Sequence, residues 1–333
     1  MRAYSIESFG LDKLAVITRP SAPLGPHAVR VRVRAVSLNY RDMMTVEGTY
    51  NPRQKLPLVP CSDAAGEVVE VGSAVTRFAV GARVMTLFAQ RWQAGRPTMD
   101  KLKSTLGGPA DGVLAEEIVL SEEGLVAVPE ALSFADASTL PCAGLTAWSA
   151  LEQAGVTSGD TVVVQGTGGV SIFALQLAKL RGARVVVTSK SDEKLERARA
   201  LGAHETIDHA NEDIAARVRE ITKRRGVEVV AEHVGGRVFE AGVASLARDG
   251  RLVTCGATIG HQVGLDLNVL FGKHLTLLGS WMGRRRDMAD VLAHLASGAL
   301  TPSVDAVMPL ADGRKAHERI EAREHFGKIV LVP

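Results

Sequence analysis

The sequence predicts an α/β protein in which a doubly wound parallel sheet is joined to a separate β-barrel-like domain. Three observations lead there. From Thr161 to Lys194 the chain reads as strand, glycine turn, helix and second strand without a gap. From Phe134 onward strands and helices alternate, the pattern of a parallel sheet with helices on its faces. Before that, residues 1 to about 125 are short strands punctuated by Gly and Pro, with no crossover helices.

Ala28 to Ala35 (AVRVRVRA) alternates with period two, which turns the valines toward a core and leaves the arginines as a solvated face. Glu67 to Val71 (EVVEV), Arg83 to Leu87 and Ile118 to Leu120 continue this barrel-like series. After Phe134, strands are expected near 161–165, 184–188, 227–232, 250–255 and 274–280, with helices near 169–181, 192–201, 211–224 and 236–247. Near 303–309 short strands return, followed by a helix rich in Arg, Glu and His and a last strand from Lys328 to Val332. The expected organisation is a first domain of residues 1–126 completed by 303–333, and a doubly wound domain of residues 127–302.

The glycine turn is the most informative stretch. Val162, Val163 and Val164 form the β-branched run of a strand buried on both faces. Gly166-Thr167-Gly168-Gly169-Val170-Ser171 breaks it, and Ile172, Leu175, Gln176 and Lys179 follow at helical spacing until Gly182. This is a relaxed dinucleotide fingerprint, with Ser171 in the third glycine's place. Gly166 permits a tight turn, Gly168 lets the backbone approach a pyrophosphate, and free N–H groups at the helix start meet the phosphate charge. Gly166, Thr167, Gly168, Gly169 and Val170 are therefore candidate cofactor contacts.

Cofactor choice reads from the end of the next strand. An NAD site places Asp or Glu about 20 residues after the turn to hold the ribose 2′-hydroxyl. Here Val187-Thr188-Ser189-Lys190-Ser191 offers no carboxylate until Asp192. Hydroxyls and a lysine suit a 2′-phosphate, so Ser189 and Lys190 favour NADPH over NADH. Ser191, Asp192 and Glu193 also make an ordinary helix start, on which Lys194 would simply be solvated. His233-Val234-Gly235-Gly236 and Cys255-Gly256-Ala257-Thr258 follow later strands at the carboxyl edge, where such sheets bind ligands. Val234, Gly256, Ala257 and Thr258 join the candidates, whereas Cys255, with no base suggested nearby in sequence, reads as a small strand-end residue.

Composition excludes several classes. Hydrophobic residues make up 46% of 333 and charged residues 23%, ample for packed cores, and a net charge of +2 gives no nucleic-acid footprint. Cys61, Cys142 and Cys255 are widely spaced and odd in number, the usage of a reducing cytosol rather than a disulfide framework. The N-terminus MRAYSIESFGLDK carries charges where a signal peptide needs its apolar stretch, and no window approaches a membrane span. A cytoplasmic protein that does not engage membranes is expected.

VSLNYRD (Val36 to Asp42), PLVPCSDAAGEVVEVG (Pro57 to Gly72), LPCAGLTAW (Leu140 to Trp148), VVVQGTGGVS and the terminal GKIVLV (Gly327 to Val332) together resemble the medium-chain dehydrogenase/reductase superfamily. Within it, the chain resembles the zinc-free quinone-oxidoreductase-like branch that contains zeta-crystallin. The resemblance spans essentially the whole length and implies a Rossmann dinucleotide-binding domain beside a GroES-like catalytic domain. The zinc-dependent branch holds its catalytic metal with Cys, His and Cys; the matching positions here are Asn39, Ser62 and Cys142. One good ligand of three does not make a zinc site, and FAQRWQAGRPTMDKLKSTLGG lacks the cysteines of the structural zinc lobe. No metal is expected, and Cys142 reads as a packing residue.

Without a metal to polarise an alcohol, reduction of an already electrophilic carbonyl, enone or quinone is the expected task, with NADPH carrying the hydride. By resemblance Asn39 lies beside the nicotinamide and hydrogen-bonds substrate or cofactor. The Tyr40 phenol either orients or protonates a reduced carbonyl or is a barrel residue with its hydroxyl satisfied. Asp63 is expected to be structural, pairing with an arginine such as Arg41. Lys194 and His209 match positions that contact the 2′-phosphate in quinone-reductase relatives, Thr146 resembles the family threonine near the nicotinamide, and Phe326 and Lys328 resemble a segment returning to the cofactor. The apolar strand His274 to Ser280 implies a homodimer formed edge to edge. A zinc-independent alcohol dehydrogenase and a dinucleotide-binding protein with little turnover are the alternatives.

Overall fold

Alternating valines and arginines between residues 28 and 37 make the strand on which the first unit is built. In the computed structural model, which describes residues 1–333 throughout, the chain divides into one unit of Met1–Ala143 with Arg284–Pro333 and a second of Gly144–Gly283.

The first unit opens with a hairpin of β1 (Arg2–Ser5) and β2 (Ala15–Thr18), then runs through β3 (Ala28–Ser37), α1 (Tyr40–Val46), β4 (Asp63–Val71), β5 (Arg83–Thr86), α2 (Met99–Leu102), β6 (Glu117–Ser121), β7 (Leu125–Ala127) and α3 (Phe134–Ser138). β3 pairs antiparallel with β4 along its length and with β6 at its start. Val29, Val31 and Val33 are buried in the core while Arg32 and Arg34 are exposed, as the alternation predicts. Arg30 and Arg34 reach Glu70 and Glu67 across the strand pair at 2.7 and 3.0 Å. Such solvated pairs contribute little, so the valine face holds the sheet. The helix α1 between β3 and β4 is not foreseen by the strand pattern.

The second unit contains α4 (Leu145–Gln153), β8 (Thr161–Gln165), α5 (Gly169–Leu180), β9 (Arg184–Ser189), α6 (Asp192–Ala200), β10 (Glu205–Asp208), α7 (Ile214–Ile221), β11 (Val227–Glu232), α8 (Gly236–Ser245), β12 (Leu246–Thr254), α9 (Leu267–Gly272) and β13 (Thr276–Gly279). Its six strands are all parallel and lie in the order β10-β9-β8-β11-β12-β13. Numbered within the unit this is 3-2-1-4-5-6, the doubly wound dinucleotide-binding order, with its switch point between β8 and β11. Every residue of β8 is buried, which is why its sequence is valine-rich rather than alternating. β10 was absent from the expected strands: ETID is four residues long, too short to show a period. β13 is an edge strand, as its apolar run suggested.

The chain then returns to the first unit with α10 (Arg285–Ala296), β14 (Val304–Pro309), α11 (Gly313–Glu321) and β15 (Lys328–Val332). β15 pairs with β3 at its end and with β14, completing a seven-stranded sheet. The units therefore break after residues 143 and 283, not after 126 and 302 as expected from sequence. The reason is packing. The Cys142 amide donates to Asp63 at 2.9 Å, and Arg285 at the start of α10 donates its N–H to the Trp92 carbonyl and pairs with Glu123. A change from strand to helix texture does not mark where such contacts end.

On α11, His317 is fully buried, its Nδ1 bonded to the Gly313 carbonyl at 2.8 Å and its Nε2 without a partner. Burial pushes its pKa below the ordinary imidazole value, with only the Gly313 carbonyl favouring the charged form. A depressed histidine contributes stability that is present above the unfolded pKa of about 6.5 and lost as pH falls through it, with a slope of up to about 1.4 kcal/mol per pH unit. Between about pH 7.5 and about 5.5 the thermal midpoint of the wild type should therefore fall further than that of His317→Gln. Parallel profiles would show that His317 is not the group responsible.

Candidate functional site

Each unit carries a constellation of site residues. In the second unit, Gly166 follows β8 with φ +82°, a conformation that favours glycine, and donates its N–H to the Thr188 carbonyl at 3.0 Å. Gly168 occupies the N-cap of α5, no side chain caps the helix, and a Cβ built on Gly168 would meet nothing within 4 Å. The turn is thus an open cradle at the N-terminus of a twelve-residue helix, at the carboxyl end of the central strand. Residues Gly166 to Val170 fit the pyrophosphate of a dinucleotide.

Ser171, in the third glycine's place, is nearly fully buried. Its Oγ donates to the Gln165 carbonyl at 3.0 Å and lies 2.7 Å from His233 Nε2. Because the single hydroxyl proton is directed at Gln165, the imidazole must donate from Nε2, which fixes its tautomer. Burial keeps His233 neutral by pushing its pKa down. Its Cε1 would be 3.8 Å from a Cβ at Gly166, so the histidine braces both ends of the turn. The sequence reading placed His233 in a glycine segment but gave it no role; a polar residue ending an apolar strand was the available signal.

Glu232, buried at the end of β11, accepts from the amides of Val234 and Gly235 at 2.6 and 2.5 Å and from Thr254 Oγ1 at 2.6 Å. The Val234 amide is therefore committed within the protein and is not a free donor for a ligand. Gly235 pairs with Gly260 in an isolated bridge, and the Thr258 amide donates to the His233 carbonyl at 3.3 Å, which sets Gly256, Ala257 and Thr258 against the His233–Gly236 segment. Thr146, on α4, is buried and bonds Met282 Sδ at 3.3 Å.

At the end of β9, the Ser189 carbonyl accepts the His209 amide at 3.0 Å, and Ser189 Oγ accepts the Ser191 amide at 3.3 Å. Burial lowers the His209 pKa, the Asp208 carboxylate opposes this, and the Lys190 charge lowers it further, so Lys190 and His209 are neighbours. Lys190 is exposed, and the Lys194 amide caps onto Ser191 Oγ at 3.4 Å. Asp208 is turned onto the Ala210 amide and the Asn211 side chain. The structure gathers Ser189, Lys190 and His209 at the ends of adjacent strands, with Lys194 in the first turn of the following helix.

The first unit holds a buried charged cluster. Asp63, at the start of β4, accepts from Ser62 Oγ at 2.6 Å and from the Cys142 amide at 2.9 Å. Its pKa is pushed up to about 6, chiefly by burial, with Lys328 opposing. Lys328, at the start of β15 and only 3% exposed, donates to the Leu38 carbonyl and to Asn39 Oδ1. Asn39 caps α1, with its amide N–H on Asp42 Oδ2 at 2.9 Å. Arg41 does not pair with Asp63 as expected; it reaches Asp42 at 3.4 Å and the carbonyls of Leu106 and Gly108, between the rings of Tyr50 and Phe88. The reason is direction: residues 41 and 42 share the first turn of α1, whereas Asp63 faces Lys328.

Tyr40 accepts a hydrogen bond from Arg323 at 3.1 Å, which leaves its own hydroxyl proton free to donate. Phe326 and Lys328 were expected to contact the cofactor; both side chains are buried, and Lys328 is turned inward onto Asn39. No three His, Cys, Asp or Glu side chains gather closely enough to hold a metal ion, and burial pushes the Cys142 thiol well up, away from the thiolate a metal requires.

Because a Cβ at position 168 would meet nothing in the protein within 4 Å, Gly168→Val is suited to separate ligand binding from folding. We expect a stability loss of no more than about 1 kcal/mol from the poorer cap, and dinucleotide affinity reduced at least about tenfold in a fluorescence titration. A folded variant that binds as the wild type does would remove the turn from the site.

Two family models match: an alcohol dehydrogenase GroES-like domain over residues 25–130 and a zinc-binding dehydrogenase domain over residues 169–297. A zinc-type alcohol dehydrogenase-like protein of Schizosaccharomyces pombe is 37% identical over 92% of this chain and 91% of its own. A quinone oxidoreductase of Pseudomonas aeruginosa is 36% identical over 95% and 94%. A crystal structure described as an NAD-dependent alcohol dehydrogenase superposes with a TM-score of 0.92 at 35% identity, covering 100% of both chains. Joined to the strand order of the second unit and the open glycine turn, these likenesses show that the chain belongs to the medium-chain dehydrogenase/reductase superfamily, in its quinone-oxidoreductase-like branch.

Proposed function

We propose that the protein is a cytosolic, NADPH-dependent reductase that transfers hydride to a quinone, an enone or a related carbonyl without a metal, and that it works as a homodimer. The observation that carries this reading is the buried Lys328 ammonium on Asn39. Where the zinc branch sets a metal ligand, this chain sets a neutral amide whose oxygen is already engaged by a cation, which supports a site that works without a metal. The names of the Pseudomonas and Schizosaccharomyces relatives point to quinone reduction and to alcohol chemistry respectively. The second supports alcohol chemistry, as in the runner-up, a zinc-independent alcohol dehydrogenase, whose independence of zinc rests on Asn39 and Ser62 alone.

When bound, the reduced dinucleotide supplies the hydride. The chain's own contributions are the Gly166–Val170 turn for the pyrophosphate, the buried Asn39 amide beside the acceptor oxygen, and the Tyr40 hydroxyl as a donor whose oxygen is oriented by Arg323. For the 2′-phosphate, Ser189, Lys190, Lys194 and His209 provide a hydroxyl, two ammonium groups and an imidazole, with no carboxylate directly at the end of β9. Charge-assisted bonds of about 1.5–3 kcal/mol each, reduced by solvent exposure, amount to a preference of roughly 10- to 1000-fold for NADPH.

Oxidation of NADPH at 340 nm against a panel of quinones, enones and aldehydes tests the activity, and its absence with every acceptor would end the reductase reading. In the same assay Lys190→Ala with Lys194→Ala should erase most of the NADPH preference while leaving NADH affinity nearly unchanged, since only the phosphate distinguishes the two. A wild type that prefers NADH, or a double variant that keeps its ratio, would refute the assignment.

Leu267 and Phe271, on the helix preceding edge strand β13, are 64% and 66% exposed, which supports association through this edge. Light scattering of the purified protein should give twice the chain mass, and metal analysis should find no stoichiometric zinc. A monomer at micromolar concentration, or one zinc per chain, would overturn the corresponding part of the proposal.

A further inference from the structure

β8 and β11 are neighbours in the second unit's sheet, with Val162 beside Val229 and Val164 beside Ala231. They flank the switch point, where the chain leaves β8 into α5 and β11 into α8 on diverging paths, so the crevice that receives a dinucleotide opens between their ends. Two side-chain contacts span that opening. Gln165 Nε2 donates to the Val238 carbonyl at 2.8 Å, and Ser171 Oγ lies 2.7 Å from His233 Nε2. The second reaches the glycine turn itself.

Ser171 Oγ has one proton and two polar neighbours. The Gln165 carbonyl, 3.0 Å away, can only accept and takes that proton, so the imidazole completes the set by donating from Nε2. A hydroxyl in the third glycine's place, only 1% exposed, is thus satisfied from both sides. The titratable neighbours do not compete for it. Glu232 is engaged by the Val234 and Gly235 amides and the Thr254 hydroxyl, and the Cys255 thiol, pushed up to about 12 chiefly by burial, keeps its proton.

We propose that His233 is a positioning residue for the dinucleotide: by donating from Nε2 to Ser171 Oγ, it ties the end of β11 to the first turn of α5 and fixes the backbone of Gly166 to Val170 in the form that receives the pyrophosphate. Gly166 sits between the two partners, since a Cβ there would lie 3.5 Å from Ser171 Oγ and 3.8 Å from His233 Cε1. Gly166, Gly168 and Gly169 give the turn freedom that a ligand would otherwise have to remove on binding, and a turn set in advance spares that cost. The inference rests on the turn as a dinucleotide site, not on the reductase reading or on the choice between NADPH and NADH.

Dissociation constants for NADH and NADPH by nicotinamide fluorescence, and for ADP by competition, test this in the wild type, His233→Leu, His233→Gln, Ser171→Ala and the double variant of His233→Leu with Ser171→Ala. His233→Leu should weaken all three ligands by a similar factor, roughly 5- to 20-fold, because ADP carries both phosphates and nothing beyond them. His233→Gln, whose Nε2 can donate to the same hydroxyl, should bind within about threefold of the wild type. In the Ser171→Ala background, His233→Leu should cost no more than about twofold, because the imidazole acts through a hydroxyl that is already gone. Wild-type binding by folded His233→Leu, a loss confined to NADH and NADPH, or losses that multiply in the double variant would each overturn the proposal. Should His233→Leu fail to fold, Ser171→Ala decides: it must lose affinity for all three ligands, and wild-type binding overturns the proposal.

A second readout needs no ligand. In a long-range ¹⁵N–¹H spectrum of the imidazoles, recorded above the ordinary histidine pKa and with His233 assigned by its loss in His233→Gln, Nε2 should carry the proton and Nδ1 should not. A bare Nε2 would overturn the proposal. Gly168→Val tells the two levels apart: if it binds NADH as the wild type does, the dinucleotide reading of the turn fails by itself, while the spectrum still decides the bond between Ser171 and His233.

Discussion

A charge removed from water has to be neutralised and hydrogen-bonded, and in the first unit this requirement gathers chain segments far apart in sequence. Lys328 opens β15, Leu38 and Asn39 join β3 to α1, Asp63 opens β4, and Cys142 follows α3; all meet in one buried cluster. Removing one member leaves another charge uncompensated, which costs about 3–5 kcal/mol in comparable buried pairs, so the cluster constrains its own geometry. Its place at strand starts and a helix cap follows from the barrel-like sheet, whose interior is closed to polar groups by Val31, Val33, Val84 and their neighbours.

The second unit meets the opposite constraint. Its central strands are buried on both faces and nearly all valine, so polar groups are displaced to the strand ends: Gln165, Ser189, Glu232 and Thr254 each close a strand at its carboxyl end. Two of them shape turns rather than face a ligand. Glu232 takes up the amides of Val234 and Gly235, and the Gln165 carbonyl anchors Ser171. The relaxed fingerprint is stable because the hydroxyl that replaces the third glycine is buried with two partners, one of them an imidazole held neutral by burial.

What the sequence made legible was local. The strand, turn and helix from Thr161 to Leu180 could be read within a residue because a valine run, a glycine run and a helical period succeed one another there. The end of β9 was equally open to reading, since Ser189 and Lys190 are adjacent in sequence. Pairings between distant segments were not. Nothing near Asp63 in sequence says that it faces Lys328 rather than Arg41, and nothing in GKIVLV says that its lysine turns inward. Short elements such as β10 and α1 fall below the length at which periodicity speaks, and the unit boundaries depend on contacts of Cys142 and Arg285 that composition does not record.

Charge also bears on how a metal would fit this cluster. A zinc site offers thiolate and imidazole donors to a dication, whereas here the corresponding positions are an amide, a hydroxyl and a thiol pushed toward its neutral form by burial. The cluster already balances Asp42 and Asp63 against Arg41 and Lys328, so a dication would add charge to a buried set without excess anion. Lys328 fixes which end of the Asn39 amide meets a cation, and the Asp42 and Asp63 carboxylates take the other end, so the charges of the cluster are matched within it.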